Sequence, residues 1–268
     1  MATPVVISAL SPLLAAMEEN LHGHVAFVQR RRPEMTVDDR EDLLLIDSGL
    51  PTDTFNKIAR ARLTEADANR RIAEAVGHFR TAQRPFSWWV GPGSRPLDLE
   101  RRLQEHGLRA AESELGMAME LAQLPAQVDA PAGLTVRRVR TATELADFAA
   151  VNAANWDPPD LVVLTFYQSA PPVLLDEDCP MRLFVGYVDG YAVAASELFV
   201  GGGVAGLYSV STRTAFRRRG IGSVLTWAAA DEARRLGITT ATLQASEDGQ
   251  GVYARLGFRA CCHFAEYQ

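Results

Sequence analysis

Val210-Ser-Thr212-Arg-Thr-Ala-Phe-Arg217-Arg218-Arg219-Gly220-Ile221-Gly222 is the stretch on which the fold of this chain turns. Val204 to Thr212 ahead of it is rich in β formers. Behind it, Gly222 to Leu236 carries apolar residues at Val224, Leu225, Trp227, Ala228 and Leu236, with Asp231, Glu232, Arg234 and Arg235 between them; Gly237 ends the run. A strand therefore leads into the segment and a helix leads out. At such a junction, unpaired N–H groups and the positive end of the helix dipole converge on one spot, where a pyrophosphate binds readily. Gly220 and Gly222 let the backbone approach an anion, and three arginines add charge. A dinucleotide fingerprint would need a third glycine where Leu225 stands, and no Gly-Lys-Ser or Gly-Lys-Thr follows. Taken alone, the stretch also fits a solvated basic turn with an ordinary loop glycine.

The flanking order of elements narrows that choice. Leu134 to Val139 reads as a strand. Thr143, with Asp147 beyond it, opens a helix towards Asn155, and Leu161 to Ser169 is a second helix. Met181 to Tyr187 and Tyr191 to Val200 are strands joined at Asp189-Gly190, and Gly201-Gly202-Gly203 turns the chain into Val204 to Thr212. After the helix come a strand at Thr240 to Ala245, a short helix at Val252 to Leu256 stopped by Gly257, and a closing strand region from Phe258 to Tyr267.

This half resembles the GCN5-related N-acetyltransferase (GNAT) superfamily. In that family the fourth strand and a following R/Q-x-x-G-x-G/A loop bind the pantetheine and pyrophosphate of acetyl-CoA. Arg217, Gly220 and Gly222 match that loop. Downstream, the family often shows an asparagine, a tyrosine seven residues on and then Leu-Gly-Phe. Here Ser246 replaces the asparagine, while Tyr253 and Leu256-Gly257-Phe258 fit. The resemblance spans roughly Leu134 to Gln268 and implies an α/β (α+β) fold with a mixed central sheet flanked by helices. It implies acetyl-CoA as cosubstrate, contacted by Val210, Thr212, Arg217, Arg218, Arg219, Gly220, Ile221, Gly222, Ser223, Ser246 and Tyr253. The implied activity is acetyl transfer to a primary amine by direct attack in a ternary complex.

That chemistry requires a deprotonated amine, donors for the developing oxyanion and a proton for the departing thiolate. Tyr253 matches the position where a family tyrosine often supplies that proton; a tyrosine that only packs on cofactor or core is the other reading. Family members often take the amine proton with a glutamate on a central strand. Glu197 stands in the apolar run Val193-Ala-Ala-Ser-Glu197-Leu-Phe-Val200, where a carboxylate is costly unless solvated, paired or functional. Strand alternation leaves open that it faces solvent. Tyr208 is a further substrate or water contact, or plain strand packing, and His263 reads as structural. A non-catalytic acyl-CoA-binding module that keeps the loop but lacks a base is the alternative to an enzyme.

The other half is less legible. Pro125 to Gly133, with two prolines and a glycine, reads as a linker that divides the 268 residues into 1–124 and 134–268. Thr64-Glu-Ala-Asp67 opens a helix to about Gln83. Phe86 to Val90 is a strand, Leu99 to His106 a helix ended by Gly107, and Gly116 to Leu121 a closing strand. Gly107-Leu108-Arg109 stands 150 positions before Gly257-Phe258-Arg259, which suggests a repeat. At that offset Asp67, Asn69, Arg70 and Ile72 fall opposite Arg217, Arg219, Gly220 and Gly222. Both glycines are gone, so the first half reads as a degenerate, cofactor-free copy in tandem, with an unrelated α+β domain as the alternative. In either case it walls the acceptor pocket together with Asn155 to Cys179. Trp88 and Trp89 line that pocket or, as strand aromatics more often do, fill core. Arg30-Arg31-Arg32 reads as a solvated helix end.

Composition limits the function classes. Apolar residues make up 47% of the chain, enough for a real core, and the net charge is -6, against a general nucleic-acid binder. No run approaches the ~20 apolar residues of a membrane span. Val5 to Met17 lacks a basic flank and reads as part of a helix, not a signal peptide. Three cysteines, Cys179, Cys261 and Cys262, show neither a disulfide framework nor metal-ligand spacing. The expectation is a cytoplasmic enzyme without metal, with acetyl-CoA and an amine acceptor as partners, and with a homodimer left open.

Overall fold

Ser11 opens the first described helix by accepting the N–H of Leu14, and Pro12 takes the first helical position, where its missing N–H costs nothing. This computed structural model describes residues 10–268; the helical reading of Val5 to Ala9 lies outside them. The first half runs α1 (Pro12–Phe27), β1 (Thr36–Asp39), β2 (Leu44–Asp47), β3 (Lys57–Ala59), α2 (Ala68–Ala82), β4 (Ser87–Val90), α3 (Leu99–Glu105) and β5 (Ala110–Glu120). The second runs β6 (Leu134–Arg138), α4 (Ala142–Ala153), α5 (Leu161–Gln168), α6 (Pro171–Leu174), β7 (Met181–Val188), β8 (Tyr191–Gly201), β9 (Val204–Thr212), α7 (Ile221–Arg235), β10 (Thr240–Ala245), α8 (Glu247–Leu256) and β11 (Arg259–Tyr267).

Several boundaries differ from the sequence reading. The cap of α4 is Thr141, which accepts from Glu144 N while the Glu144 carboxylate returns to the Thr141 N–H. That capping box fits better than Thr143 because it satisfies donors in both directions. Helix α8 starts at Glu247, not Val252: two glycines inside it obscure the period, but acids in its first turn favour the helix dipole. Strand β5 begins six residues before Gly116. In the first half, Thr64 does accept from Asp67 N, yet the regular helix starts at Ala68. Helices α2 and α7 thus begin 153 positions apart, at Ala68 and Ile221. Counted from these helix starts, Asp67 and Asn69 fall opposite Gly220 and Gly222 in place of Arg70 and Ile72; neither register puts a glycine at these positions of the first half. Strands β1, β2 and β3 were not anticipated, being only three or four residues long.

All described strands join one sheet in the order β1-β2-β3-β4-β11-β5-β10-β9-β8-β7-β6. Its centre exchanges strands between the halves. β5, from the first half, lies between β10 and β11, antiparallel to both; β11, from the second half, lies between β4 and β5. On one face Phe148, Val163, Phe166 and Phe199 pack with the end of α1, α4 and α5. On the other, Leu198, Leu207, Ala241 and Leu243 pack against Ile221 and Leu225 of α7 and Tyr253 and Leu256 of α8. A separate core around Ile72, Phe79 and Trp88 holds α2 and α3.

Asn20 fixes α1 to the second half. It is fully buried, and its amide nitrogen lies 3.1, 2.9 and 3.1 Å from the carbonyl oxygens of Phe199, Gly201 and Val204. Its amide oxygen accepts the Tyr208 hydroxyl at 2.7 Å. Gly206 permits this approach: a Cβ there would stand 2.0 Å from Asn20 Oδ1.

Because β5 has its two ladders with strands of the other half, neither half should fold alone. Fragments 1–124 and 134–268 expressed separately are expected to lack cooperative unfolding by circular dichroism, and co-expression is expected to restore it. Two independently folded fragments would contradict this reading of the sheet.

Candidate functional site

Strands β9 and β10 are parallel neighbours but pair over only two positions, Ala205 with Ala241 and Gly206 with Thr242. Beyond them the strands part, although β10 keeps its ladder with β5 from Thr240 to Ala245. The edges of β9 from Leu207 to Thr212 and of β10 from Leu243 to Ala245 therefore face a gap. A register shift lies between Ala195 and Glu197 where β8 meets β9, and Ser209 sits at φ 50°. Such an irregularity turns a strand and re-aims its side chains.

The arginine and glycine loop follows β9 directly. Arg217 Nε donates to Thr212 O at 3.0 Å, folding the loop back on the strand end. Arg219 donates to Ala215 O and lies over the Phe216 ring. Arg218 is at φ 63° and Gly220 at φ 80°. Nothing lies within 4 Å of where a Gly220 Cβ would be, so its left-handed backbone, not crowding by protein, explains the glycine. The first bond inside α7 joins Val224 N to Gly220 O, leaving the N–H groups of Ile221, Gly222 and Ser223 ahead of the ladder. Ile221 places its side chain in the core, so only its backbone is free for a ligand. Ser246 caps α8 in an exposed position without a side-chain bond of its own. Val210 and Thr212 stand half-buried on the parted edge.

A pantetheine arm needs a slot lined with amide partners, and its pyrophosphate needs a cradle of N–H groups. The gap and the loop fit both. So do three side-chain atoms of β10 that are buried without a hydrogen-bond partner among the described residues: Thr242 Oγ1 and both amide atoms of Gln244. Unpaired buried polar atoms are costly, and a bound amide or water satisfies them.

A cavity of about 380 Å³ lies where the halves meet on the α1 face. Glu197 reaches it from β8 and is almost fully buried. Its Oε1 lies 2.6 Å from His24 Nε2, and its Oε2 accepts Ser209 Oγ at 3.2 Å. The carboxylate thus does not face solvent, as alternation had left open; the register with Tyr208 turns it to the α1 side. The His24 ring stacks on Tyr208 at 3.7 Å between centroids. Tyr208 is consequently a packing and positioning group, held by Asn20 and His24.

Glu114 also lines the cavity, from β5. Glu197 and Glu114 lie on opposite sides of the β9–β10 gap and on the same face of the sheet. Glu114 Oε2 is buried and meets no donor among the described residues. Burial, followed by the nearby charges of Glu266 and Glu112, pushes its carboxyl up to about 7; Lys57 acts the other way. Nothing in the sequence around Glu114 marks it, because its role comes from strand exchange. His24 is likewise unmarked in the sequence, as one polar residue on a helix without a motif.

Tyr253 is buried beside Phe258 and does not line the cavity. Burial first and the Glu114 charge second push its phenol up to about 12. Asn155 and Trp156 from the α4–α5 connection line the cavity, as do Thr54 and Phe55 from the first half. Trp88 is fully buried in the core of the first half, and Lys57 lies over the Trp89 ring; neither tryptophan reaches the cavity. Of the arginine run, Arg31 lies over the Phe27 ring and Arg30 pairs with Asp39, so that helix end is tied down.

The model of the acetyltransferase (GNAT) family matches residues 144–258. No curated protein matches the sequence. Among solved structures, a GCN5-related N-acetyltransferase from Kribbella flavida shares the fold at 20% identity over 95% of both chains, with a TM-score of 0.72. One from Sphaerobacter thermophilus does so at 18% identity over 97% of this chain and 93% of that one, with a TM-score of 0.62. A tandem GNAT protein from the clavulanic acid biosynthesis pathway aligns at 15% identity over 96% of this chain and 93% of its own, with a TM-score of 0.59.

The state of Glu114 can be measured through stability. Its folded carboxyl lies above its unfolded value, so the penalty is absent below about pH 4.5 and complete above about pH 7. Glu114→Gln is expected to stabilise the protein by roughly 1–3 kcal/mol at pH 8 and by little at pH 5. Urea unfolding at both values checks this; equal effects at both would remove the raised carboxyl.

Proposed function

We propose, from the match of residues 144–258 to the GNAT family model, that this chain is an N-acetyltransferase moving an acetyl group from acetyl-CoA to a primary amine by direct attack in a ternary complex. The observation that carries the reading is the parting of β9 from β10 immediately before a loop whose free N–H groups open α7. One acetyl-CoA would bind per chain, at 134–268. The N–H groups at Gly220 to Ser223 would hold its pyrophosphate, Arg217, Arg218 and Arg219 would surround it, and Val210, Thr212 and Ser246 would flank the arm. The 125–133 segment would join this part to a cofactor-free first half.

The thioester end would then lie at the gap, between carboxylates carried on either side. The amine must reach it unprotonated, and Glu197, hydrogen-bonded to His24 and Ser209, would take up the proton that the nitrogen sheds once it has attacked. Attack of the nitrogen on the thioester carbon breaks the C–S bond, and the thiolate needs a proton in return. The Tyr253 phenol remains protonated through neutral pH, since its pKa lies near 12, and so can supply one. Coenzyme A release from acetyl-CoA and a panel of primary amines tests the activity. Tight acetyl-CoA binding without release across the panel would instead make this a non-catalytic acyl-CoA-binding module.

Two variants test the parts. Gly220→Val forces a β-branched residue into the left-handed region at about 1–2 kcal/mol. It is expected to weaken acetyl-CoA binding at least ~10-fold with circular dichroism unchanged, and wild-type calorimetry should give one site per chain. Unaltered affinity would move the phosphate site elsewhere. Tyr253→Phe keeps the ring and is expected to slow single-turnover transfer ~10²–10⁴-fold with little change in acetyl-CoA affinity. A rate within about twofold of the parent would leave Tyr253 as a packing contact.

A further inference from the structure

We infer that the cavity takes a small primary amine with an apolar or aromatic body, and that Glu114, supplied by the first half, holds its ammonium group. This rests on the acetyltransferase reading for what happens to the amine next, but not for the binding itself.

The charges in the cavity select a cation. Among the described residues that line it there are two glutamates and one histidine, and no lysine or arginine. The two acids are not equivalent. Glu197 has both oxygens engaged, by His24 and Ser209. Glu114 has a buried oxygen with no donor. The nearest cation on its side, Lys57, is committed to Glu266 at 3.2 Å and to Ser87 Oγ at 2.8 Å. Two further carboxylates, Glu112 and Glu266, add negative charge around it. An arriving ammonium would give Glu114 its missing donor and offset that charge; a neutral or anionic head group would not.

The rest of the wall selects the body. Val25, Val28, Val163 and Met181 supply aliphatic surface. Phe55 of the first half stacks on Phe166 of the second, with ring centroids 3.7 Å apart, so the aromatic wall spans both halves. Half-exposed Trp156 joins them from the α4–α5 connection. Such a surface gains from covering an apolar substituent, and the uncharged polar side chains of Gln29, Thr54, Asn152 and Asn155 also line the cavity.

The bound ammonium has a direct route to its reactive form. Glu114 as carboxylate accepts one N–H proton, leaving the neutral amine and a carboxylic acid. No other bond changes, and no oxidant or further reactant is needed. Burial and the charges of Glu266 and Glu112, which raise this carboxyl, narrow the gap in proton affinity between it and an amine. The titratable or charged groups around it are Glu112 on its own strand, Glu266 on β11, Lys57 on β3, Tyr253 on α8 and Tyr208 on β9; Glu197 on β8, His24 on α1 and Tyr167 on α5 share the cavity.

Calorimetry on the full chain at pH 8 tests the inference without requiring turnover, with 2-phenylethylamine and its neutral counterpart 2-phenylethanol as probes. The wild type should bind the amine about 10–100-fold more tightly than the alcohol, the range of a charge-assisted hydrogen bond. Glu114→Gln should abolish that preference and leave alcohol binding unchanged, whereas Glu197→Gln should retain most of it. Glu114→Asp, which keeps the charge, should restore part. A wild type with no amine preference, or a preference that survives Glu114→Gln, would overturn the assignment. If Glu114→Gln unfolds, a wild-type preference that falls away between pH 8 and pH 5, as Glu114 gains a proton, supports the assignment, and one that stays constant overturns it. A wild type that shows the preference yet transfers no acetyl group to any amine would overturn the acetyltransferase reading and leave this one standing.

Discussion

The placement of β5 between β10 and β11 is the constraint on which the rest of the molecule depends. It ties β10 to a full-length antiparallel partner on one side. With that ladder complete, β10 can afford to part from β9 on the other after two residue pairs. An opening inside a continuous sheet would otherwise expose backbone groups of two strands at once. The same placement carries Glu114 into a cavity that both halves line. Strand exchange thus accounts for both the slot and one of its two acids.

The acids show how a single sheet face can hold two carboxylates in different states. Glu197 sits where the β8–β9 irregularity brings Ser209 to one oxygen and α1 brings His24 to the other. That arrangement depends on Asn20, which binds three carbonyls of the β8–β9 hairpin, and on Gly206, whose missing side chain leaves Asn20 its room. Glu114 has no such provision, and like charges surround it. Desolvation without compensation disfavours its ionised form, which makes it the group that a cationic ligand can relieve.

What could be read from the sequence follows from the range of the interactions involved. The loop, α7, and strands β7 to β10 were legible because their signals are local: glycines at left-handed positions, an Asp-Gly turn, apolar residues at regular spacing. Tyr253 and the loop arginines were found through motif spacing. Glu197 stood out because a charge interrupts an apolar strand. Glu114 and His24 give no such sign, since each acquires its surroundings from a distant segment: Glu114 from Phe264 on the neighbouring strand and His24 from Glu197, 173 residues away. Strands of three or four residues, such as β3, hold too few residues for alternation to register.

At the start of α2 the first half keeps its arginines but has no glycine loop like the one that opens α7. Asp67 occupies the place of Gly220, with φ −93° where Gly220 has 80°. The arginines near the start of α2 are not idle: Arg70 pairs with Asp67 and Glu74, and Arg71 with Asp42 and Glu74. Their hydrogen bonds hold Asp42, Asp67 and Glu74 below the usual carboxylate range. Internal carboxylates therefore take the partners that a phosphate would need, and a second anion would have to displace them. This supports the proposal that the first half binds no coenzyme. What the first half does contribute is α1 as a cover, Phe55 as part of a wall and β5 as the strand that presents Glu114, all on the α1 side of the gap between β9 and β10.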